Sequence, residues 1–347
     1  MSEPVALRPV PFSALKGWAG DDHGSAFRAF LQSCRQSCRT VPQSDAGAAD
    51  ALALGAAIDG ETARAFFESH FEPQRVIAET PGFVTGYYEP ELRGSRTRKS
   101  RFPVPVYGRP DDLISSVPES ERARFNDRVT GFRSTPRGDV PYCTRAEIHA
   151  GALAGRGLEL LYVEDAVELF YMQVQGSGLV HIEGGGRFRL VYAGKNGHPY
   201  TSIARLLIEG NELAADEIDM DTVKAWLRAD TIRGAELMRK NESYVFFREV
   251  EDLEGPLGAE GVPLTPGRSL ALDTAYHALG TPVFVSGIGP EGPEALRFRR
   301  LMIAQDVGSA IAGPQRGDIF FGTGEAAGSI AGRTRHTAEF HILLPKR

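Results

Sequence analysis

Cysteine is scarce in this chain and long hydrophobic runs are missing, and these two shortages exclude several protein classes. Only three cysteines, Cys34, Cys38 and Cys143, occur in 347 residues, and an odd count this low argues against a disulfide-stapled scaffold. Cys34 and Cys38 stand four apart in AFRAFLQSCRQSC, which reads as one face of a helix. A zinc site would need further ligands, and no His or Cys cluster supplies them, so neither a metal nor any other cofactor is expected. Cys143 and His149 are six apart, but a thiol–imidazole nucleophile needs contact in space, which that spacing does not establish. No stretch approaches the ~18 apolar residues that cross a bilayer, so no transmembrane segment is expected. The opening MSEPVALRPVPFSALKGW has no basic n-region, no apolar h-region and no lipid-attachment cysteine, so neither a signal peptide nor a lipobox is visible in this chain. Net charge is −6, and the one basic stretch, RGSRTRKSR at Arg93–Arg101, is short and interrupted. Nucleic acid is therefore not an expected partner. GxSxG, Walker A and HExxH motifs are absent as well.

What remains has an ordinary globular composition, with 42% hydrophobic and 24% charged residues. The length is about twice the modal ~150-residue domain, which predicts two domains or one domain with a large insertion. The 39 glycines and 22 prolines are spread along the chain, so it should turn often, with many short strands and few long helices. Residues 20–80 read as helical, because DDHGSAFRAFLQSCRQSC and GETARAFFESHFEPQRV repeat apolar residues at three- and four-residue spacing. From Gly82 the period changes to two in FVTGYYEPEL, and Pro103–Pro110 continues extended. Residues 111–135 are polar and loop-like, and Arg145–Ala154 predicts one short helix. LELLYVEDAVELFYMQVQGSGLVHI reads as strands and a turn. SIARLLIEG, TVKAWLRA and GAELMRKN read as helices, and β character returns after Asn241. A β domain whose chain leaves for an insertion and later returns fits this order.

Three carboxylates stand at the mouths of apolar strands: Asp273 in LALDTAYHALGTPVFV, Asp306 in RLMIAQDVGSAIAG and Asp318 in RGDIFFGTG. One such Asp is usually a cap or turn residue, and Asp306 could cap a short helix over Val307–Ala312. Several tyrosines (Tyr87, Tyr88, Tyr107, Tyr142, Tyr171, Tyr192 and Tyr200) could stack on sugar rings or simply pack the core. Gln175, Gly176, Ser177 and Gly178 read as a turn, open to a ligand or not. Lys195 and Asn196 lie in a polar turn, AGKNGHPY.

Taken in order, these segments resemble the membrane-bound lytic murein transglycosylase A (MltA) family. LALDTAYHALGTPVFV, LMIAQDVGSAIAGPQRGDIFFGTG and AEFHILLP are similar to its C-terminal 3D domain, named for three aspartates that fall on Asp273, Asp306 and Asp318. TGYYEPELRGSR, FPVPVYGRP, PYCTRAEIHAG, YMQVQGSGLV, VYAGKNGHPYTSIARLLIEG and NESYVFF resemble the rest of the family's chain. The resemblance implies a mainly β protein in which both chain ends form a double-psi β-barrel. Residues 1–90 and 244–347 would carry the N-terminal helices and barrel, residues 91–243 a β-rich inserted domain, with a groove between the two. It implies cleavage of the β-1,4 bond between N-acetylmuramic acid and N-acetylglucosamine in peptidoglycan glycan strands, leaving a 1,6-anhydromuramoyl end. Asp306 would act as general acid and then as base. Asp273, Asp318, Thr85, Gly86, Tyr87, Tyr88, Gln173, Gln175, Gly176, Ser177, Gly178, Lys195 and Asn196 would support it or bind substrate. The setting implied is periplasmic or outer-membrane-associated, with the protein a monomer.

The chemistry is coherent. Glycosidases ordinarily need two carboxylates, but when the sugar's own C6 hydroxyl attacks, proximity replaces the second. The acid must then hold a proton near neutral pH. Burial and neighbouring carboxylates raise its pKa, whereas a helix N-terminus lowers it. Two other readings stay open: a glycan-binding module without turnover, and a hydrolase whose water is activated by Asp273 or Asp318.

Overall fold

A computed structural model describes residues 6–40, 46–115, 129–251, 255–288, 298–308 and 310–346, with the side chains of residues 38–40 and 46 also outside the description. Two compact units divide the chain. One comprises Met1–Tyr88, Glu254–Gly322 and Ala326–Arg347, and the other Glu89–Leu253 with Thr323–Glu325.

In the first unit, α1 (His23–Thr40), α2 (Ala46–Leu54) and α3 (Gly60–His70) lie between the first and second strands of a sheet built from distant parts of the chain. Its strands run in the order β1 (Ala6–Pro9), β2 (Phe71–Ile77), β16 (Arg335–Pro345), β13 (Pro282–Ile288), β14 (Arg299–Asp306), β12 (Ser269–Leu272), β15 (Arg316–Thr323) and β3 (Gly82–Glu89). Because β16 also pairs with β3, the strands from β16 round to β3 close into a barrel. Alternation gives each strand two faces. Val283, Val285, Met302, Ala304, Leu270, Leu272, Ile319 and Phe340 turn into one core. Phe284, Leu301, Ile303 and Leu343 turn the other way, onto Phe27, Phe30, Leu31, Cys34, Phe66 and Phe67 of the helices. Burying each such phenylalanine contributes roughly 1.5–3 kcal/mol, which explains why so aromatic a helical layer covers this side.

The helical reading of GETARAFFESHFEPQRV is corrected at its end. α3 begins at its cap, where Asp59 accepts from the Thr62 amide at 2.7 Å, and stops at His70. Phe71–Ile77 is strand, with a buried Phe71 and Pro73 in register with Leu343. The short helix over Val307–Ala312 that Asp306 could have capped is absent among the described residues there.

The second unit carries a six-stranded sheet ordered β11 (Val245–Val250), β10 (Arg187–Lys195), β9 (Ser177–Ile182), β4 (Glu91–Ser95), β8 (Glu159–Val163) and β5 (Val104–Tyr107). A hairpin of β6 (Phe132–Thr135) and β7 (Gly138–Pro141) stands apart. It occupies part of the segment expected to be loop, of which residues 116–128 lie outside the described residues. Helices α4 (Arg145–His149), α5 (Ala166–Gln175), α6 (Ile203–Glu209), α7 (Met220–Ala229) and α8 (Thr231–Arg239) complete the unit, and α9 (Glu325–Arg333) follows β15. Two boundaries differ from expectation. β11 pairs with β10, so residues 245–250 belong to this sheet rather than to the barrel. α5 replaces the strand read into EDAVELFYMQVQ. Asp165 caps its start by accepting from the Val167 amide at 2.7 Å, and Gly176 ends it at φ 87°. The signal was an Asp and a Gly eleven residues apart, masked by a run of apolar residues.

Candidate active site

In the first unit the ladder registers bring two of the three aspartates into one row. Ala271 of β12 pairs with Asp318 of β15 on one side and with Asp306 of β14 on the other. Leu270 and Leu272 point into the barrel core, so Ala271 and the Asp318 opposite it face the other way. Strict alternation from Ala304 would turn Asp306 inward. The register shifts between Leu270 and Ala271, where β14 carries one extra residue, Gln305. Such a bulge re-aims the side chain that follows it, and Asp306 thereby shares the face of Asp318. Two strand spacings, about 10 Å, separate their backbones, with only a methyl group between them. Thr85 and Tyr87 present the same, outward face of β3, since Val84 turns into the barrel core.

The two carboxylates are solvated differently by the protein. Asp306 Oδ1 accepts from the amides of Val307 and Ala259, each at 2.9 Å, and Oδ2 accepts from the Tyr87 hydroxyl at 2.8 Å. Asp318 Oδ1 accepts from the Thr85 hydroxyl at 2.7 Å, while Arg316 Nη2 donates to the same Thr85 oxygen at 2.8 Å. Burial raises the pKa of Asp306, and its three donors oppose the rise. Asp318 is pushed up to about 6, first by burial and also by the Asp306 charge, against the pull of Thr85 and Arg316. Tyr87 is driven well above its ordinary value by burial and by both carboxylates, so its hydroxyl keeps its proton and remains a donor. Its ring rests against Phe320 at 5.3 Å between centroids.

The other expected residues divide plainly. Asp273 accepts from the Ala275 amide at 3.0 Å and the Gly313 amide at 2.8 Å, closing the turn after β12. Gly86 is a close-approach glycine, because a Cβ there would lie 2.6 Å from Phe321 and 2.8 Å from the Ala331 backbone. Tyr88 is buried against Gly328. The remaining residues belong to the second unit. Gln173 is buried, accepting from Arg145 at 2.5 Å and donating to the Val245 carbonyl at 3.3 Å. Gly176 is the helix C-cap, Ser177 opens β9, and Gly178 admits Met172, whose sulfur would lie 2.3 Å from a Cβ. Gln175 and Lys195 are half-buried. Asn196 is fully buried and staples four backbone groups, so it has no face to offer a sugar. Sequence reasoning missed Arg316, although its position two before Asp318 places it on the same strand face. It also missed Ala259, whose contribution is a backbone amide and leaves no trace in residue type.

Among the described residues no group of three or more His, Cys, Asp or Glu side chains could hold a metal ion. No helix among them is long and apolar enough to cross a membrane. Cys143 is buried, which raises its pKa, and Cys34 packs in the helical core.

Comparison with known proteins gives concordant results. The family model of the MltA specific insert domain matches residues 83–248, and that of the 3D domain matches residues 268–344. The membrane-bound lytic murein transglycosylase A of Vibrio cholerae is 34% identical over 260 residues, covering 73% of this chain and 62% of that protein. The Escherichia coli protein of the same name is 33% identical over 264 residues, covering 75% and 64%. The matches thus span less than two thirds of these relatives' lengths. Among solved structures, a membrane-bound lytic murein transglycosylase from Agrobacterium tumefaciens superposes with a TM-score of 0.86 at 36% identity, covering 98% of each chain. MltA from Neisseria gonorrhoeae gives 0.83 at 34%, covering 99% of this chain and 92% of that one. E. coli MltA with bound chitohexaose gives 0.70 at 26%, covering 100% and 96%. By fold, by both family models and by relatives matched over almost their whole solved chains, this protein belongs to the membrane-bound lytic murein transglycosylase A family.

Proposed function

We propose that this chain is a peptidoglycan lytic transglycosylase. It would cleave the β-1,4 bond after N-acetylmuramic acid without consuming water and leave a 1,6-anhydromuramoyl end, acting in the periplasm or at the outer membrane. The observation that carries the reading is a half-buried carboxyl, Asp318, with its pKa pushed up to about 6, held on the same sheet face as a second carboxylate that accepts more hydrogen bonds. Such a group is still partly protonated at the pH where a general acid must act.

The resemblance assigns the proton to Asp306. The hydrogen bonds favour Asp318. Among the described residues three donors stabilise an anion at Asp306, whereas Asp318 receives one, and a carboxylate that accepts several bonds is the member of a pair that ionises first. In this reading Asp318 donates its proton to the leaving glycosidic oxygen. The C6 hydroxyl of the muramoyl ring attacks the anomeric carbon, and the Asp318 carboxylate takes that hydroxyl's proton. Asp306 stays ionised throughout, raises the pKa of Asp318 and stabilises developing positive charge on the sugar. The acid is regenerated and water is not consumed. The relative crystallised with chitohexaose supports a β-1,4-linked amino-sugar strand as ligand.

Mass spectrometry of murein digested by the protein tests this. Anhydro ends, one water lighter than reducing ends, are expected. Reducing ends would make the chain a hydrolase, and intact murein a binding module.

A further inference from the structure

The bulge residue Gln305 is completely buried, and it points away from the barrel core into a polar relay the proposed chemistry does not use. Its Nε2 donates to the Ala29 carbonyl at 2.8 Å and to Ser33 Oγ at 2.9 Å, both on α1. Its Oε1 accepts from Ser269 Oγ at 2.6 Å, and Ser269 Oγ accepts in turn from the Thr265 amide at 2.7 Å. Ser33 spends its single proton on Glu260 Oε2 at 2.6 Å. Every hydroxyl therefore has a fixed direction, and the relay ends on one carboxylate. Ser33, Gln305 and Ser269 are each at most 2% exposed. Networks this buried and this fully satisfied hold their members to one geometry.

Glu260 is where the relay meets the site. Its own amide donates to the Gln305 carbonyl at 3.1 Å, and the Gly258 amide donates to the Val262 carbonyl at 3.0 Å. Gly258 packs so tightly that a Cβ would lie 2.3 Å from the Gln305 oxygen. The residue between them, Ala259, gives its amide to Asp306. The turn is thus clamped by backbone on both sides and by the Glu260 side chain above.

We propose that Ser33 and Glu260 are positioning residues that aim the Ala259 amide at Asp306, and so keep the ionised and protonated roles of the two carboxyls apart. This rests on the reading of Asp306 and Asp318 given above. Ser33 lies on α1, outside both stretches matched by the family models. Burial raises the pKa of Glu260 and the Ser33 bond lowers it, consistent with a carboxylate that depends on that hydroxyl.

The groups facing the pair define the expected titration. Asp306 faces Tyr87 from β3 and Asp318 from β15, Asp318 faces Thr85 and Arg316, and Glu260 faces Ser33. Losing the Ala259 bond makes Asp306 more basic. The shared proton then spends more time on Asp306, and the pair holds it to higher pH.

Steady-state kinetics of murein turnover by the full chain across pH tests the proposal. In Ser33→Ala and Glu260→Ala, kcat should fall roughly tenfold with KM within about twofold, as for a lost positioning bond. The alkaline limb of kcat should move up by roughly half a pH unit. Glu260→Gln keeps an acceptor for Ser33 and should restore kcat and the limb to within about twofold of the parent. A parent-like limb and kcat in Ser33→Ala, which is mild enough to fold, would overturn the proposal. So would a Glu260→Gln variant as impaired as Glu260→Ala. Failure of the site reading is separate, since Asp318→Asn would then retain activity whatever Ser33 does.

Discussion

Replacing Asn196 by Ala separates a sugar-binding residue from a structural one. Asn196 is fully buried, with Nδ2 donating to the carbonyls of Cys143 at 2.9 Å and Glu242 at 2.8 Å. Its Oδ1 accepts from the Tyr244 amide at 2.8 Å and, more loosely, from the His198 amide at 3.4 Å. Truncation leaves the Cys143 carbonyl and the Tyr244 amide without partners, while the Glu242 carbonyl keeps the Arg145 amide at 3.1 Å. Each stranded group costs about 1–3 kcal/mol, and partial relaxation brings the sum to roughly 2–4 kcal/mol. The chain's two tryptophans fall one in each unit, Trp18 and Trp226. In a Trp18→Phe background, fluorescence therefore follows the second unit alone. With a urea m-value of about 2 kcal/mol/M, the midpoint should drop by roughly 1–2 M. KM for murein, measured well below that midpoint, should stay within twofold of the parent. An unchanged midpoint with a tenfold higher KM would refute the structural assignment and return Asn196 to the substrate.

Gly86→Ala should cost about 1–3 kcal/mol, because its Cβ would drive into Phe321 and the Ala331 backbone; thermal unfolding checks this, and a parent-like Tm would contradict it. His336 is buried with neither ring nitrogen bonded among the described residues, and burial lowers its pKa. The unfolded chain therefore binds the proton first, and stability falls as pH drops below the unfolded value near 6.5. His336→Phe should reduce this loss between about pH 6.5 and 5, measured by urea midpoints at both pH values. Turnover should survive EDTA, and a loss that zinc or magnesium reverses would overturn a mechanism carried by side chains alone.

Much of the barrel is legible from its strands, because LALD, LMIAQD and DIFF are short apolar runs ending or starting at an Asp, the pattern of strands buried on two faces. The helix Ala166–Gln175 is not legible in the same way. Phe170, Leu169, Met172 and Gln173 are all buried, so the polar face that would reveal a 3.6 period is missing. The three aspartates stand out as lone acids at strand mouths, yet the separation of roles proposed for them depends on features without a sequence signature. Gln305 as a bulge re-aims Asp306, and Ala259 stabilises it through backbone alone. Asn196 and Gln173 show the opposite error. Polar residues in a recognisable segment invite a ligand, but here they satisfy buried carbonyls and amides.

The assignment of the proton to Asp318 is tested most directly by pH–rate profiles of Asp318→Asn and Asp306→Asn, with anhydro ends counted by mass spectrometry. Asn preserves shape but cannot cycle a proton, and general acid help is typically worth ~10²–10⁴ in rate. Asp318→Asn should lose at least that much at every pH. Asp306→Asn removes the charge that raises its neighbour, so its alkaline limb should move below the parent's, near pH 6, with measurable turnover kept on the acidic side. Turnover by Asp318→Asn within a few-fold of the parent, with Asp306→Asn inactive at all pH values, would place the proton on Asp306 and contradict the account.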